Sequence, residues 1–310
     1  MAFLAEDLIE SVKSRSFIPV SQSTFTDTQI LQIISEELCL SLVSDILGAR
    51  EDFFLTTKST ALVANKDHYL IPNLCIGNNL KAVFIVDANG QRRALQRRDV
   101  DRSDEYSALS GEPEKFYFEG DEIVLMPKPS VATDSLLFSY FRKPNQLTLT
   151  AKCAKITAVS TLAGVTTFTV DTDLTGSLVV GDQVDFLRAK NPHTLWSEQV
   201  AITAITSSTI EVSAADIQDV DGTIEPGVGD YICPTGFSNI AMVPEEFVLV
   251  LCEMAAARML RSLGDLQKWQ ASQAMVEKMR KEALSLIVQR VESAPETHSK
   301  INLLARAFGS

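Results

Sequence analysis

The stretch SGEPEKFYFEGDEIVLMPKPSVATDSLLFSYFRKP, residues 110–144, reads as strand, tight turn, strand, loop and strand, and it holds no obvious catalytic group. Gly120, between Glu119 and Asp121, accepts the positive φ that a tight hairpin requires. Upstream, FFLTTKSTALV, HYLIP and LKAVFIVDANGQRRAL repeat the pattern of short apolar runs cut by turn residues, with Asn89 and Gly90 as another turn. Residues 52–144 are therefore expected to form an antiparallel β unit.

The flanking segments change period. In TDTQILQIISEELCLSLVSDILG, Ile30, Leu31, Ile34, Leu38, Leu42 and Ile46 recur at helical spacing, Asp27 or Thr28 is placed to cap, and Gly48 to stop. AEDLIESVKSR before it is a shorter helix with acidic residues in its first turn, where the helix dipole favours them. Pro244, Glu245 and Glu246 open a third helix with the stripe Val248, Leu251, Cys252, Ala255, Met259 and Leu263. Gly264 and Asp265 stop or kink it, and Asp265 caps a helix carrying Trp269, Val276, Met279, Ala283, Leu286 and Ile287. The small-residue run MAAARM lets a neighbouring helix approach closely.

Between the β unit and these last helices, residues 151–232 are rich in Thr, Val, Ile, Ser and Asp, with AKITAVS, TTFTVD, QVDFL, QVAITAITSSTIEVS and DYICP as strands. VVGDQVDF and GVGDYICP echo one another, each setting Val-Gly-Asp ahead of a strand. A small closed β barrel, which removes exposed sheet edges, is the expected form. Past Pro295, Ile301, Leu303, Leu304 and Phe308 crowd a short tail that packs on its own domain or orders on a partner.

Charge limits the partners. The chain of 310 residues has a net charge of −12, which opposes binding to nucleic acid by phosphate neutralisation. Residues 151–242 are the most acidic region, with eleven acidic and four basic side chains. The cysteines Cys39, Cys75, Cys153, Cys233 and Cys252 show neither CxxC nor metal-ligand spacing, so buried free thiols in a reduced cytoplasmic setting are expected. The N-terminus lacks the basic start and apolar run of a signal peptide, and no apolar run approaches membrane-spanning length.

Catalytic and metal motifs are sought without success. His68, His193 and His298 stand apart from one another and from cysteine, which argues against zinc, and no GxSxG, Walker, dinucleotide-binding or HExxH pattern occurs. Asp216, Asp219, Asp221 and Gly222 invite calcium but fail the EF-hand order, leaving a solvated acidic turn as the plainer reading. Arg92, Arg93, Arg97, Arg98 and Arg102 lie close together. They fit contact with a phosphate backbone or an acidic partner, and equally a solvated strand beside Asp99, Asp101 and Asp104.

The order of features resembles the head-to-tail connector, or adaptor, proteins of tailed bacteriophages. The resemblance rests on ILQIISEELCLSLVSDIL, on FFLTTKSTALVANKDHYLIP with its Tyr-x-x-Pro, and on SGEPEKFYFEGDEIVLMPKP and LLFSYFRKPNQLT with Pro-x-Pro and Arg-x-Pro endings. VPEEFVLVLCEMAAARMLRSLGD is similar to the family's C-terminal helix. The match covers about residues 1–150 and 243–290.

The residue patterns and this resemblance together give an α+β fold: a helical core of N-terminal helices plus a long C-terminal helix pair, with an antiparallel β hairpin unit and an inserted small β-barrel domain, the insertion departing from the family's compact members. The segments are 1–150 (helices and β unit), 151–232 (inserted barrel), 233–294 (C-terminal helices) and 295–310 (docking tail). It implies a structural virion protein of the neck, not an enzyme, without cofactor or metal. Twelve copies would form a ring below the portal and above the next tail or neck protein, and DNA would pass through without specific binding. Ile301, Leu303, Leu304 and Phe308 would dock on the portal, and assembly would occur in the host bacterial cytoplasm without a membrane step. Two other readings stand beside it. One is a receptor- or carbohydrate-binding tail component stacking sugars on Trp196 and Phe186; the other is a hydrolase using carboxylates such as Asp182 and Glu198.

Overall fold

In a computed structural model, which describes residues 3–17, 24–99, 110–190, 195–217 and 226–287, helices from both ends of the chain share one apolar core. The first is α1 (Ala5–Arg15), which buries Ala5, Leu8, Ile9 and Val12. Next, α2 (Asp27–Glu37) passes through a π-helical turn (Leu38–Leu42) into α3 (Val43–Ala49). The expected stripe is buried throughout. Its successive four-residue steps, Ile34, Leu38, Leu42 and Ile46, would drift by about 40° each around an α-helix. The wider π turn absorbs that drift and turns Leu40 outward, 74% exposed. The cap is Thr26 rather than Asp27 or Thr28: Thr26 and Gln29 exchange reciprocal side-chain to backbone bonds at 3.2 and 2.9 Å. Gly48 lies inside α3 and does not end it.

The β unit is two packed four-stranded sheets. Its strands are β1 (Leu55–Ala61), β2 (His68–Leu70), β3 (Cys75–Val86), β4 (Arg92–Ala94), β5 (Gln96–Arg97), β6 (Ser110–Gly111), β7 (Lys115–Glu119), β8 (Glu122–Met126), β9 (Lys128–Pro129) and β10 (Ser135–Arg142). One sheet runs β1-β10-β3-β4 and the other β2-β8-β7-β5, while β6 and β9 form a small parallel pair. The β7–β8 hairpin turns at Gly120, where φ is +62°. Phe116, Ile123 and Leu125 on the hairpin meet Leu136, Phe138 and Tyr140 of β10 in the core between the sheets.

The chain enters and leaves the next unit at one place, because β11 (Gln146–Leu147) pairs in parallel with β18 (Phe237–Ser238). Between them lie β12 (Ala154–Leu162), β13 (Val165–Val170), β14 (Gln183–Leu187), β15 (Leu195–Ile205), β16 (Thr209–Ser213) and β17 (Tyr231–Pro234). They close into a barrel in the order β12-β13-β16-β15-β14-β17. Exchanging β12 with β15, β13 with β16 and β14 with β17 reproduces every pairing, so the barrel is an internal duplication. The Val-Gly-Asp echo is its clearest trace. Gly181 (φ +94°) and Gly229 (φ +99°) turn alike and donate at 2.9 Å to Ile202 O and Ile156 O, which are themselves equivalent positions. Asp182 and Asp230 each accept a turn N–H at 2.9 Å.

Two of the cysteines expected as free thiols are not free. Cys153 and Cys233 form a disulfide across 80 residues of sequence. The pairing of Ala154 with Ile232 brings β12 and β17 together where the barrel closes, a juxtaposition that linear spacing does not reveal. Cys39, Cys75 and Cys252 are unpaired, and burial raises the pKa of all three, that of Cys75 to about 11.

After the barrel, α4 (Glu245–Ser262) runs through the helical core and is covered by α5 (Leu266–Ile287). Ala255, Ala256 and Ala257 are fully buried, as close helix approach requires. Leu263, expected in the stripe, falls beyond the end of α4 and is exposed. Asp265 caps α5 by accepting Lys268 N at 3.1 Å. Polar ties cross the bundle: Glu253 on α4 accepts from Arg15 on α1 at 3.0 Å and from Ser272 on α5 at 2.6 Å, Arg258 holds Glu36 and Glu37, and Arg280 pairs with Asp45.

Candidate functional site

A largely buried polar cluster joins the sandwich to the barrel. β10 ends in Tyr140 and Arg142, and the RKPN turn that follows brings Asn145 back beside Arg142. From the barrel, β14 contributes Asp185 and β15 contributes Glu198. Arg142 donates through Nε to Glu198 at 2.9 Å and through a terminal nitrogen to Asn145 Oδ1 at 2.7 Å, with Asp185 at 3.7 Å. The Tyr140 hydroxyl donates to the other Glu198 oxygen at 2.9 Å. Asp185, fully buried, accepts from Asn145 Nδ2, Gly236 N and Gln199 N, each at 2.9 Å. Gln199 adopts φ +57°, an uncommon conformation for a non-glycine residue, with its N–H on Asp185 and its side chain accepting from Lys58 of β1.

Every oxygen of buried Asp185 and half-buried Glu198 thus accepts a bond from the protein, which is what makes the two carboxylates tolerable there. The Tyr140 hydroxyl is pushed well above the ordinary tyrosine range by burial and then by the neighbouring Glu198 charge. Chemically the cluster is a clamp. Its groups are committed to one another, and their effect is to fix the barrel's orientation on the sandwich.

The arginines are brought together along one edge. Arg92 and Arg93 lie on β4, Arg97 on β5 and Arg98 just after it, while buried Leu95 carries the chain from one sheet to the other. Arg93 pairs with Glu112 at 2.6 Å, and the Arg97 guanidinium stands 4.7 Å over the Phe118 ring. Arg102, Asp101 and Asp104 lie outside the described residues, as do the tail residues Ile301, Leu303, Leu304 and Phe308.

Other candidates are placed as follows. His68 sits 3.0 Å from Glu122, whereas His193, His298, Asp219, Asp221 and Gly222 are outside the described residues. Among the described residues no group of three His, Cys, Asp or Glu side chains is arranged to hold a metal, and no helix is long and apolar enough to cross a membrane. Phe186 is buried in the barrel core and Trp196 lies beneath the Arg188 guanidinium at 3.7 Å, so neither presents an open stacking face. Asp182 holds its own turn and Glu198 belongs to the clamp. Sequence reasoning missed the clamp: Arg142 counted only as a strand ending, and Asp185 and Asn145 drew no notice. The available signal was three hydrogen-bonding side chains in the short Tyr-x-Arg-x-x-Asn run.

Helices on a β sandwich, joined to a closed six-stranded barrel by buried polar bonds, define a protein of the α+β class. A family model described as SU10 adaptor protein matches residues 5–159, half of the chain, and the chain belongs to that family, a phage head–tail adaptor family. The matched region takes in α1 to α3, the whole sandwich and most of β12. No curated protein matches the chain.

Proposed function

We propose that this chain is a structural virion protein that forms a ring of twelve copies below the portal, joins capsid to tail and lines the DNA conduit. Family membership over the N-terminal helices and sandwich is the observation that carries the reading. A ring subunit contacts its neighbours through two different patches, and the rotation between copies decides closure. That demands units whose relative angle does not wander, and the Arg142 clamp supplies such stiffness at the sandwich–barrel junction.

The division of labour follows the chain. Residues 1–150 and 233–294 build the ring core, 151–232 point outward or toward later tail proteins, and 295–310 dock on the portal through Ile301, Leu303, Leu304 and Phe308. Arg92, Arg93, Arg97 and Arg98 meet an acidic partner surface, so their contribution weakens with salt. The net charge of −12 suits a conduit that must not retain the DNA passing through it. No catalytic activity is part of this reading. Removing residues 295–310 tests the docking assignment: the truncated protein should keep its unfolding temperature and lose portal binding, and undiminished binding would refute the tail's part.

A further inference from the structure

Two strand edges face one cleft. Among the described residues β1 is the outer strand of its sheet, hydrogen-bonded to β10 alone. Across from it, residues 195–199 of β15 pair, among the described residues, only with β14, because pairing to β16 begins at Ile202. Both edges line a cavity of about 560 Å³, together with Phe53 and Phe54. Residues 55–59 give that cavity a strand edge of about 13 Å.

The same cavity holds an unmatched donor. Arg188 stacks on Trp196, whose indole N–H is taken by Asp230 at 2.6 Å. Among the described residues the buried Nε of Arg188 has no acceptor. The lining charges are Lys58, Arg142 and Arg188 against Glu198 and Asp216. Arg142 and Glu198 satisfy one another in the clamp and Lys58 donates to Gln199, which leaves Arg188 and Asp216 as the lining charges outside those contacts; the group complementary to Arg188 is an anion.

We propose that this cleft binds an extended peptide segment of a partner protein, taken up as an added strand on β1 with an aspartate or glutamate side chain on Arg188. Backbone pairing supplies affinity that is indifferent to sequence, and the carboxylate on a stacked, partly desolvated guanidinium supplies selectivity. An apolar peptide side chain meets Phe53 and Phe54. The inference does not depend on the ring reading.

The test uses the full chain. A random dodecapeptide library is selected against it, and enriched peptides are synthesised with fluorescein and titrated by anisotropy. The proposal expects acidic peptides rich in β-branched or aromatic residues. Arg188→Gln and N-methylation of alternate peptide amides should each weaken binding by about tenfold or more. Arg93→Gln, on the opposite edge, should change nothing. Where Arg188→Gln lowers the melting temperature, hydrogen exchange on the unaltered protein decides: protection of residues 55–59 and 195–199 on peptide addition supports the site. No acidic enrichment, binding indifferent to N-methylation, or protection only elsewhere overturns it.

Discussion

Arg142 Nε and Glu198 Oε2 lie 2.9 Å apart, linking the last residue of the central sandwich strand to a barrel strand 56 residues further along the chain. Arg142 also holds Asn145, which in turn holds Asp185, so one guanidinium organises two carboxylates.

Replacing Arg142 by methionine should therefore cost about 3–5 kcal/mol, because fully buried Asp185 and half-buried Glu198 lose their counter-charge. Glu198→Gln should cost less, about 1–2 kcal/mol, since a neutral acceptor remains for Tyr140 and Arg142 keeps Asp185 close. Denaturant unfolding of the two variants checks the order, and equal losses would speak against the clamp.

The Tyr140 hydroxyl gives the clamp an alkaline signature. In the unfolded chain it ionises near pH 10, whereas in the fold it stays protonated to higher pH. Its contribution is complete below about pH 10 and is lost as pH rises toward the folded value, by up to about 1.4 kcal/mol per pH unit. Tyr140→Phe should flatten that limb of a stability–pH curve. An unchanged slope would mean the hydroxyl titrates freely.

The duplicated turns should respond unequally. Asp182 accepts one turn N–H, whereas Asp230 accepts from Gly227 N, Ala189 N and Trp196 Nε1. At about 1 kcal/mol per bond, Asp182→Ala should cost about 1 kcal/mol and Asp230→Ala about 2–3 kcal/mol. Equal costs would contradict the unequal loads.

Peptide mapping without reductant should find Cys153 joined to Cys233 and the other three cysteines free. Replacing both by alanine, closing no loop, should lower stability by about 2–5 kcal/mol, with the loss seen in barrel strands by hydrogen exchange. A mixed pairing that includes Cys39 or Cys75 would contradict the strand register.

Much of this architecture could be read from local pattern. The stripe of α2, the Gly120 hairpin, the Asp265 cap and the barrel all follow from period, turn chemistry and a repeated Val-Gly-Asp. What escaped depends on residues distant in sequence. The disulfide joins positions 80 residues apart, and the clamp gathers side chains from a strand, a turn and two barrel strands, none unusual alone. The π turn is implicit in the four-residue steps of the apolar stripe, which also fit ordinary helical spacing. Thr26, Asp27 and Thr28 are all good cap residues, and only backbone geometry singles out Thr26.

The measurement that bears most directly on the account is the mass of the purified protein, alone and after mixing with the portal of the same virus, by light scattering with negative-stain imaging. The account predicts that the protein joins the portal and that the joined particle carries a ring of twelve copies. No association at any salt concentration would contradict it.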